Sequence, residues 1–269
     1  MSGINVTYRH HDLLLDIPTN KNVNLHIDFF DWSSLQENEI RILMLEEPRK
    51  TNLYRKARIH PQKYTYILTF HEELLRTNRK ARFFNCTDSW VTGYVPEQKK
   101  FCVSTVVGGK NTADMEGYAV RHNVWNARKL IQMPIDFYLS GNYKWSDGDY
   151  ENEKVLGDTK TPLFDSMFHV SIENTSIKNY FSEKIIDCFQ TKTVPIYYGC
   201  KNIGDFFNID GIITVTDMED VINACNSVTP ELYQKMLPAM EDNYQRSMKW
   251  LDHDGQIKIA VEQILEELK

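Results

Sequence analysis

The chain has 269 residues, a formal net charge of −6 at pH 7, and 42% hydrophobic and 25% charged residues. This composition is typical of a globular protein and argues against a largely disordered chain. The acidic balance argues against nucleic acid as a general partner, because binding that polyanion usually requires a basic surface.

The five cysteines are scattered and form no CxxC pair, which favours neither a disulfide framework nor a zinc site. No apolar run approaches the ~20 residues that a membrane-spanning helix needs, and the N-terminus lacks a signal-peptide core. We therefore expect a cytoplasmic, soluble protein without a membrane anchor or transmembrane segment.

Short apolar runs recur along the chain, and polar or helical stretches follow them. This rhythm predicts an α/β protein with largely parallel strands. The predicted strands are residues 40–45, 66–70, 100–107, 135–139, 167–172, 194–198 and 211–215. Residues 71–75 predict a short helix, and another strand-like run begins at Phe83.

Residues 92–100 combine glycine, proline and charge, which predicts a domain junction there. Residues 230–269 carry apolar side chains at helical spacing and predict two or three helices.

The segment 168–199 carries the clearest chemical pattern. It reads as a strand, a polar turn, a helix that opens near Tyr180, and a second buried strand that stops at Gly199. The turn therefore follows the carboxyl end of a strand and faces a helix N-terminus. Open α/β sheets bind ligands at such a position, where backbone N–H groups favour phosphate.

On the predicted helix, Tyr180, Glu183 and Lys184 are spaced i, i+3 and i+4 and so share one face. A carboxylate can accept hydrogen bonds from both ribose hydroxyls of a nucleotide, and an ammonium can meet its diphosphate. The tyrosine ring offers a flat contact. The alternative is that Glu183 and Lys184 are ordinary solvated charges.

Three linked blocks in this segment, Ile-Glu-Asn, Tyr-Phe-Ser-Glu-Lys and Thr-Val-Pro-Ile-Tyr-Tyr-Gly, resemble the donor-site signature of the α1,3/1,4-fucosyltransferase family. The resemblance is strong over residues 168–207 and traceable over 41–219. It implies a short, soluble member of viral or bacterial type with the GT-B fold, in which two Rossmann-like domains face a central cleft.

The implied domains are an acceptor domain at 1–98 and a nucleotide-sugar donor domain at 99–229, with helices at 230–269 packing across the junction. The resemblance also implies that Tyr180, Glu183 and Lys184 contact the donor nucleotide and that Asn174 lines the same pocket. Glu173 then supports the loop.

Upstream, Val120 to Trp125 looks like the family's arginine-bearing helix start, so Arg121 is expected to clamp the diphosphate. A guanidinium can hold two phosphate oxygens at once; the alternative is a surface arginine. His169 stands where many members have a tyrosine near the base or ribose, and Ser182 replaces threonine. The resemblance therefore places His169 among the expected donor-binding residues.

A strand over 42–45 ends in Glu46, Glu47 and Pro48. It resembles the family's strand whose first glutamate is the catalytic base, which makes Glu46 the first choice and Glu47 the reserve. An inverting transferase needs such a base to take the proton from the acceptor hydroxyl. The alternative is a capping or salt-bridging acid.

The resemblance implies inverting, metal-independent transfer of a sugar, with GDP-fucose as the leading donor, to a hydroxyl of a glycan acceptor. A UDP-sugar donor, for xylose or hexose transfer, and a non-catalytic carbohydrate-binding relative are the alternatives. The Asp147-Gly148-Asp149 triplet matches a metal-binding Asp-x-Asp motif but lies in an acidic loop, where a solvated turn is expected. The histidines show no ligand spacing, so no metal site is expected.

Overall fold

A computed structural model describes residues 4–8, 13, 15–48, 52–110, 115–140 and 154–269. The chain divides into two units. The first unit comprises residues 1–86, 178–180 and 252–269, and the second comprises residues 87–177 and 181–251. The Asp147–Asp149 triplet lies outside the described residues.

The first unit contains a five-stranded sheet in which every neighbouring pair is parallel. The strands lie in chain order: β1 (Asn5–Thr7), β2 (Asn22–Ile27), β3 (Glu39–Leu45), β4 (Tyr66–Thr69) and β5 (Ala81–Phe83). Its described helices are α1 (Asn52–Ile59), α2 (Glu72–Thr77) and, from the end of the chain, α7 (His253–Glu267).

Both faces of this sheet are covered, which explains why all seven residues of β3 are buried. Ile42 and Met44 belong to an apolar cluster that includes Ile257 and Val261 of α7. Leu43 belongs to a second cluster formed with residues of α1 and α2. Because successive side chains of a strand point to opposite faces, a strand buried on both faces needs a continuous apolar run.

The second unit contains a six-stranded parallel sheet in the order β11-β10-β9-β6-β7-β8. Its strands are β6 (Lys100–Val107), β7 (Ile135–Ser140), β8 (Lys154–Leu156), β9 (Ser166–Ile172), β10 (Val194–Tyr198) and β11 (Ile213–Thr214). Its described helices are α3 (Glu116–Asn126), α4 (Glu183–Gln190), α5 (Met218–Ser227) and α6 (Pro230–Ser247).

Counted from β6 as its first strand, the sheet of the second unit has the Rossmann order 3-2-1-4-5-6. The strand order reverses between β6 and β9, which are hydrogen-bonded neighbours. Open α/β sheets bind ligands outside the carboxyl ends of the strands at such a switch point. The loops that follow Val107 and Ile172 are therefore where a ligand of this unit is expected.

The expected parallel α/β organisation is confirmed, and each of the predicted strands coincides with an observed one to within two residues. The first unit keeps its strands in chain order, whereas a Rossmann sheet reverses beside its first strand. The division after Cys86 falls earlier than the boundary expected at residue 98. Of the two long C-terminal helices, α6 groups with the second unit and α7 with the first. Among the described residues, no helix is long and apolar enough to cross a bilayer.

Candidate functional site

The loop between β9 and α4 is fixed by Glu173, whose side chain is fully buried. Its backbone N–H donates to the carbonyl oxygen of Tyr198 at 2.8 Å. Its carboxylate accepts hydrogen bonds from the N–H and the hydroxyl of Ser182 at 2.8 and 2.7 Å. A buried carboxylate is expensive unless it is paired in this way, so Glu173 supports the loop, the role expected of it.

Helix α4 begins at Glu183, with Ser182 as its N-cap. The expectation that the helix opens near Tyr180 is therefore wrong, and Tyr180 does not share a helical face with Glu183 and Lys184. The signal for the true start was present in the sequence, because serine is among the strongest N-cap residues. The hydroxyl of Ser182 also lies 3.0 Å from the ammonium nitrogen of Lys184.

Glu183 and Lys184 are neither free nor fully solvated. Glu183 Oε1 lies 3.2 Å from Lys184 Nζ and 3.2 Å from Lys160 Nζ, and the Glu183 side chain is only 16% exposed. Burial by itself raises the pKa of Glu183, but the two ammonium groups outweigh burial and hold the pKa well below its usual range. Burial lowers the pKa of Lys184, but Glu183 and Glu173 outweigh it and raise the pKa. Both side chains are therefore charged at neutral pH.

Lys160 extends this charged cluster, and no motif in the sequence indicates it. Its Nζ lies 3.8 Å from Asp187 and 3.6 Å from the ring centroid of Trp90. Asp187 Oδ1 accepts hydrogen bonds from the hydroxyl of Ser89 and the N–H of Trp90. Burial, offset in part by Lys160, raises the pKa of Asp187 to about 6.

Arg121 lies in the middle of α3, which begins at Glu116, so the expected helix start at residues 120–125 is wrong. The guanidinium donates two hydrogen bonds to the carbonyl oxygen of Ile172, one from Nε at 3.0 Å and one from Nη2. Nη2 also donates to Asn174 Oδ1 at 2.9 Å. Arg121 and Asn174 are therefore brought together directly behind the carboxyl end of β9.

The first turn of α3 approaches the same loop closely. The N–H of Gly117 donates to the carbonyl oxygen of Asn174 at 3.0 Å. A Cβ atom added to Gly117 meets the carbonyl oxygen of Glu173 at 1.8 Å, so only glycine fits there. Glu116 accepts hydrogen bonds from the Thr175 hydroxyl and the Ser176 N–H. The loop is thus held from α3 as well as from α4.

Tyr180 and His169 were also expected at the donor site. Tyr180 belongs to the first unit, where it is 6% exposed and its ring centroid lies 5.2 Å from that of Phe70. His169 lies inside the second unit at 5% exposure, with Nδ1 2.8 Å from the Ser104 hydroxyl. Burial, together with Lys160 and Lys99, lowers the pKa of His169 to about 3. This placement is that of a neutral core histidine.

In the first unit, Glu46 directly follows β3 and its side chain is 13% exposed. Its carboxylate accepts a hydrogen bond from the Tyr8 hydroxyl at 2.9 Å and lies 3.3 Å from the Cys86 thiol and 3.2 Å from His253 Nε2. Burial raises the pKa of Glu46, but the hydrogen bonds and charge of these neighbours, His253 first, outweigh it and lower the pKa. Glu46 is therefore an ionised carboxylate with its lone pairs largely engaged.

Glu47 differs from Glu46. Among the described residues, no hydrogen bond or ion pair to its side chain is present, and the residue is half-buried. The N–H groups of both glutamates donate to the carboxylate of Asp28, at 3.1 and 3.2 Å. Burial, followed by the charge of Glu46, raises the pKa of Asp28 to about 7. No sequence motif indicates Asp28, Tyr8, Cys86 or His253, because only the fold brings them to the end of β3.

A family model for the C-terminal part of glycosyltransferase family 10 (fucosyltransferase) matches residues 96–267, more than half of the chain. The chain belongs to glycosyltransferase family 10. The α-(1,3)-fucosyltransferase of Helicobacter pylori is 33% identical to it over 61 residues, which is 23% of this chain and 13% of that enzyme. The expected family is thereby confirmed.

Solved glycosyltransferases share the fold of this family 10 member. An α1,3-fucosyltransferase crystal structure superposes with a TM-score of 0.59 at 16% identity, covering 91% of this chain and 78% of that one. A crystal structure of α1,3-fucosyltransferase with GDP-fucose gives a TM-score of 0.57 at 16% identity, with the same coverage. The pneumococcal O-GlcNAc transferase GtfA in complex with UDP and GlcNAc gives 0.54 at 12% identity, covering 92% of this chain and 57% of that one. The expected GT-B fold is confirmed.

Proposed function

We propose that this family 10 chain transfers L-fucose from GDP-fucose to a hydroxyl of a glycan acceptor, with inversion and without a metal ion at the donor. The observation that carries the proposal is the ionised pair Glu183 and Lys184 in the first turn of α4. That turn ends the loop that follows β9, at the switch point of a Rossmann-ordered sheet. Family membership over residues 96–267 and the similar fold of an α1,3-fucosyltransferase solved with GDP-fucose support the same donor.

Glu183 is suited to hold the ribose. Both of its ion pairs use Oε1, and within the described parts of the chain Oε2 makes no hydrogen bond or ion pair. A carboxylate oxygen in that state can accept a hydrogen bond from a ribose hydroxyl. Because Lys160 and Lys184 fix the carboxylate before the nucleotide arrives, little side-chain entropy is lost on binding.

Lys184 and Arg121 supply positive charge for the diphosphate. As the bond from the anomeric carbon to the diphosphate breaks, negative charge accumulates on the phosphate oxygens of the departing GDP. Cations held in a partly buried site stabilise that charge more than they do in water. Lys184 is held by Ser182 and Glu183, and Arg121 by the Ile172 carbonyl oxygen, so both are oriented in advance. Asn174 is oriented by Arg121.

A carboxylate at the end of β3 is proposed to take the proton from the attacking acceptor hydroxyl. The family resemblance favours Glu46, whereas the contacts favour Glu47. Glu46 has a lowered pKa and interacts with Tyr8, Cys86 and His253, which makes it a weak proton acceptor. We therefore propose that Glu47 is the base that accepts the proton of the acceptor hydroxyl, and we keep Glu46 as the alternative.

Turnover of GDP-fucose tests the proposal. Release of GDP from GDP-fucose, with and without glycan acceptors, is measured for the wild type and for the Glu46→Gln and Glu47→Gln variants. We expect Glu47→Gln to lower the transfer rate by about 10²- to 10⁴-fold, the usual contribution of a general base. Equal rates for all three proteins would remove both acids from the mechanism. Absence of any GDP release by the wild type, with GDP bound, favours the non-catalytic carbohydrate-binding alternative.

A UDP-sugar donor is the second candidate, because the chain shares its fold with a transferase solved in complex with UDP. Ribose and diphosphate contacts do not distinguish guanine from uracil. Thermal denaturation in the presence of GDP, UDP, GDP-fucose and UDP-sugars separates the two donors. We expect GDP and GDP-fucose to raise the melting temperature. Stabilisation by UDP and not by GDP would overturn the fucose assignment.

A further inference from the structure

Three side chains of metal-ligating type meet in the first unit, although they come from distant parts of the sequence. Glu46 follows β3, Cys86 follows β5 and His253 opens α7. One ligand atom from each lies within 4.8 Å of the other two. Cys86 Sγ lies 3.3 Å and His253 Nε2 lies 3.2 Å from the same carboxylate oxygen, Glu46 Oε1.

These spacings match a tetrahedral ion. Zinc bonds of about 2.0 Å to nitrogen and oxygen and about 2.3 Å to sulfur place neighbouring ligand atoms about 3.3 to 3.6 Å apart. The two distances to Glu46 Oε1 lie at or just below that range, and the ligand atoms of Cys86 and His253 lie within 4.8 Å of each other, so these two side chains close around the ion when it binds. The side chains of His253 and Glu46 are 20% and 13% exposed, which leaves a path for an ion to enter.

The surroundings hold the ligands in orientation. His253 Nδ1 lies 2.9 Å from Asp254 Oδ1, so the ring presents Nε2 to the cluster. Histidines that bind metal almost always donate their other N–H to such a group. The Tyr8 hydroxyl donates to Glu46 Oε2 at 2.9 Å and directs Oε1 toward the cluster. Both arrangements are typical of the outer shell of a metal centre.

We infer that Glu46, Cys86 and His253 form a Zn²⁺ site. The mixture of thiolate, imidazole and carboxylate selects zinc over Mg²⁺ and Ca²⁺, which prefer oxygen ligands alone. Binding displaces the thiol proton of Cys86 and the proton on His253 Nε2 to solvent, and the ion takes the place of both hydrogen bonds to Glu46. Three protein ligands leave the fourth position to water.

The ion connects the start of α7 to the end of β3 and to Cys86. Cys86 is the last residue of the N-terminal segment of the first unit. Zinc therefore stabilises the first unit and fixes Glu46 as a ligand, a role that goes beyond the proposed transfer reaction. None of the proposed donor-binding residues takes part. The test uses neither nucleotide nor acceptor, so its outcome is independent of transferase activity.

Cobalt substitution tests the site on the full chain. The purified protein is stripped with a chelator and titrated with Co²⁺, and the near-ultraviolet thiolate-to-cobalt charge-transfer band is recorded. We expect one equivalent of Co²⁺ to produce the band in the wild type, and Zn²⁺ to abolish it by displacement. We also expect Zn²⁺ to raise the melting temperature of the stripped protein.

Two pairs of variants locate the site. Cys86→Ser is expected to lose the band, whereas Cys102→Ser, which removes another half-buried thiol, keeps it. Asp254→Asn preserves all three ligands and is expected to weaken Co²⁺ binding about 10- to 100-fold. Glu266→Gln, at an exposed position of the same helix, is expected to have no effect. A wild type without the band, a Cys86→Ser band equal to that of the wild type, or unchanged affinity in Asp254→Asn would overturn the inference.

Discussion

The carboxylate of Glu173 and the N-cap residue Ser182 are joined by two hydrogen bonds, from the Ser182 N–H at 2.8 Å and its hydroxyl at 2.7 Å. These bonds connect the carboxyl end of β9 to the first turn of α4, and Lys184 Nζ lies 3.6 Å from the same carboxylate. The position of Lys184 therefore depends on a residue that is itself fully buried. The proposed donor site is consequently sensitive to changes in groups that need not touch the nucleotide.

Glu173→Gln is expected to destabilise the protein by about 3 kcal/mol, because the change removes the buried charge opposite Lys184 and leaves a Ser182 donor poorly satisfied. Urea denaturation measures the effect, and affinity for GDP is expected to fall with it. The control is Glu241→Gln, which breaks an exposed pair with Lys192. Exposed pairs contribute about 0 to 1 kcal/mol. Equal losses in the two variants would contradict the role given to Glu173.

Gly117→Ala places a Cβ atom against the backbone of Glu173 and Asn174. We expect the loop to move, with about 1 to 3 kcal/mol lost from the free energy of unfolding, as in overpacked cores. We also expect affinity for GDP to fall at least tenfold. Gly204→Ala is the matched control, since a Cβ atom there meets no heavy atom within 4 Å. Wild-type GDP affinity in Gly117→Ala would show that the loop does not bind the nucleotide.

The features that are predicted best from the sequence are those that depend on a local pattern of residues. Strands such as β3 and β10 are buried throughout, and their apolar runs mark them. In β2, by contrast, Asn22, Asn24 and His26 interrupt the apolar residues, and this strand was not predicted. The proposed donor-site pair, Glu183 and Lys184, could be suggested from the sequence because its motif is contiguous.

Features that depend on contacts between distant parts of the chain could not be predicted from the sequence. Lys160 reaches Glu183 from a loop before β9, and His253 reaches Glu46 from the other end of the chain. No spacing rule connects such residues, because the fold alone makes them neighbours. His169 is a different case. Its position in the motif suggested a ligand contact, but it lies on the strand rather than after it and is buried beside Ser104 and Phe164.

The buried His169 predicts a pH dependence of stability. Burial, with Lys160 and Lys99, lowers its pKa from 6.5 to about 3. Between these values the unfolded chain binds a proton that the folded chain does not, so stability falls as the pH falls below 6.5. His169 alone is expected to lower the free energy of unfolding by about 2 kcal/mol between pH 7.5 and 5. The limiting slope is about 1.4 kcal/mol per pH unit.

The variant His169→Asn isolates that effect. Asparagine cannot take up the proton, so the stability difference between the wild type and the variant is expected to shrink from pH 7.5 to pH 5. Urea denaturation at several pH values gives the difference. A difference that stays constant over this range would mean that folding does not change the pKa of His169, contrary to its burial and neighbours.

Calorimetric titration with GDP tests most directly whether the start of α4 binds the donor nucleotide. The proteins compared are the wild type, Glu183→Gln, Lys184→Gln and Lys192→Gln, the last of which removes a lysine paired with Glu241 outside the site. The account predicts one GDP bound per wild-type chain, affinity at least tenfold weaker in Glu183→Gln and Lys184→Gln, and wild-type affinity in Lys192→Gln. Absence of GDP binding by the wild type, or equal affinity in all four proteins, would contradict it.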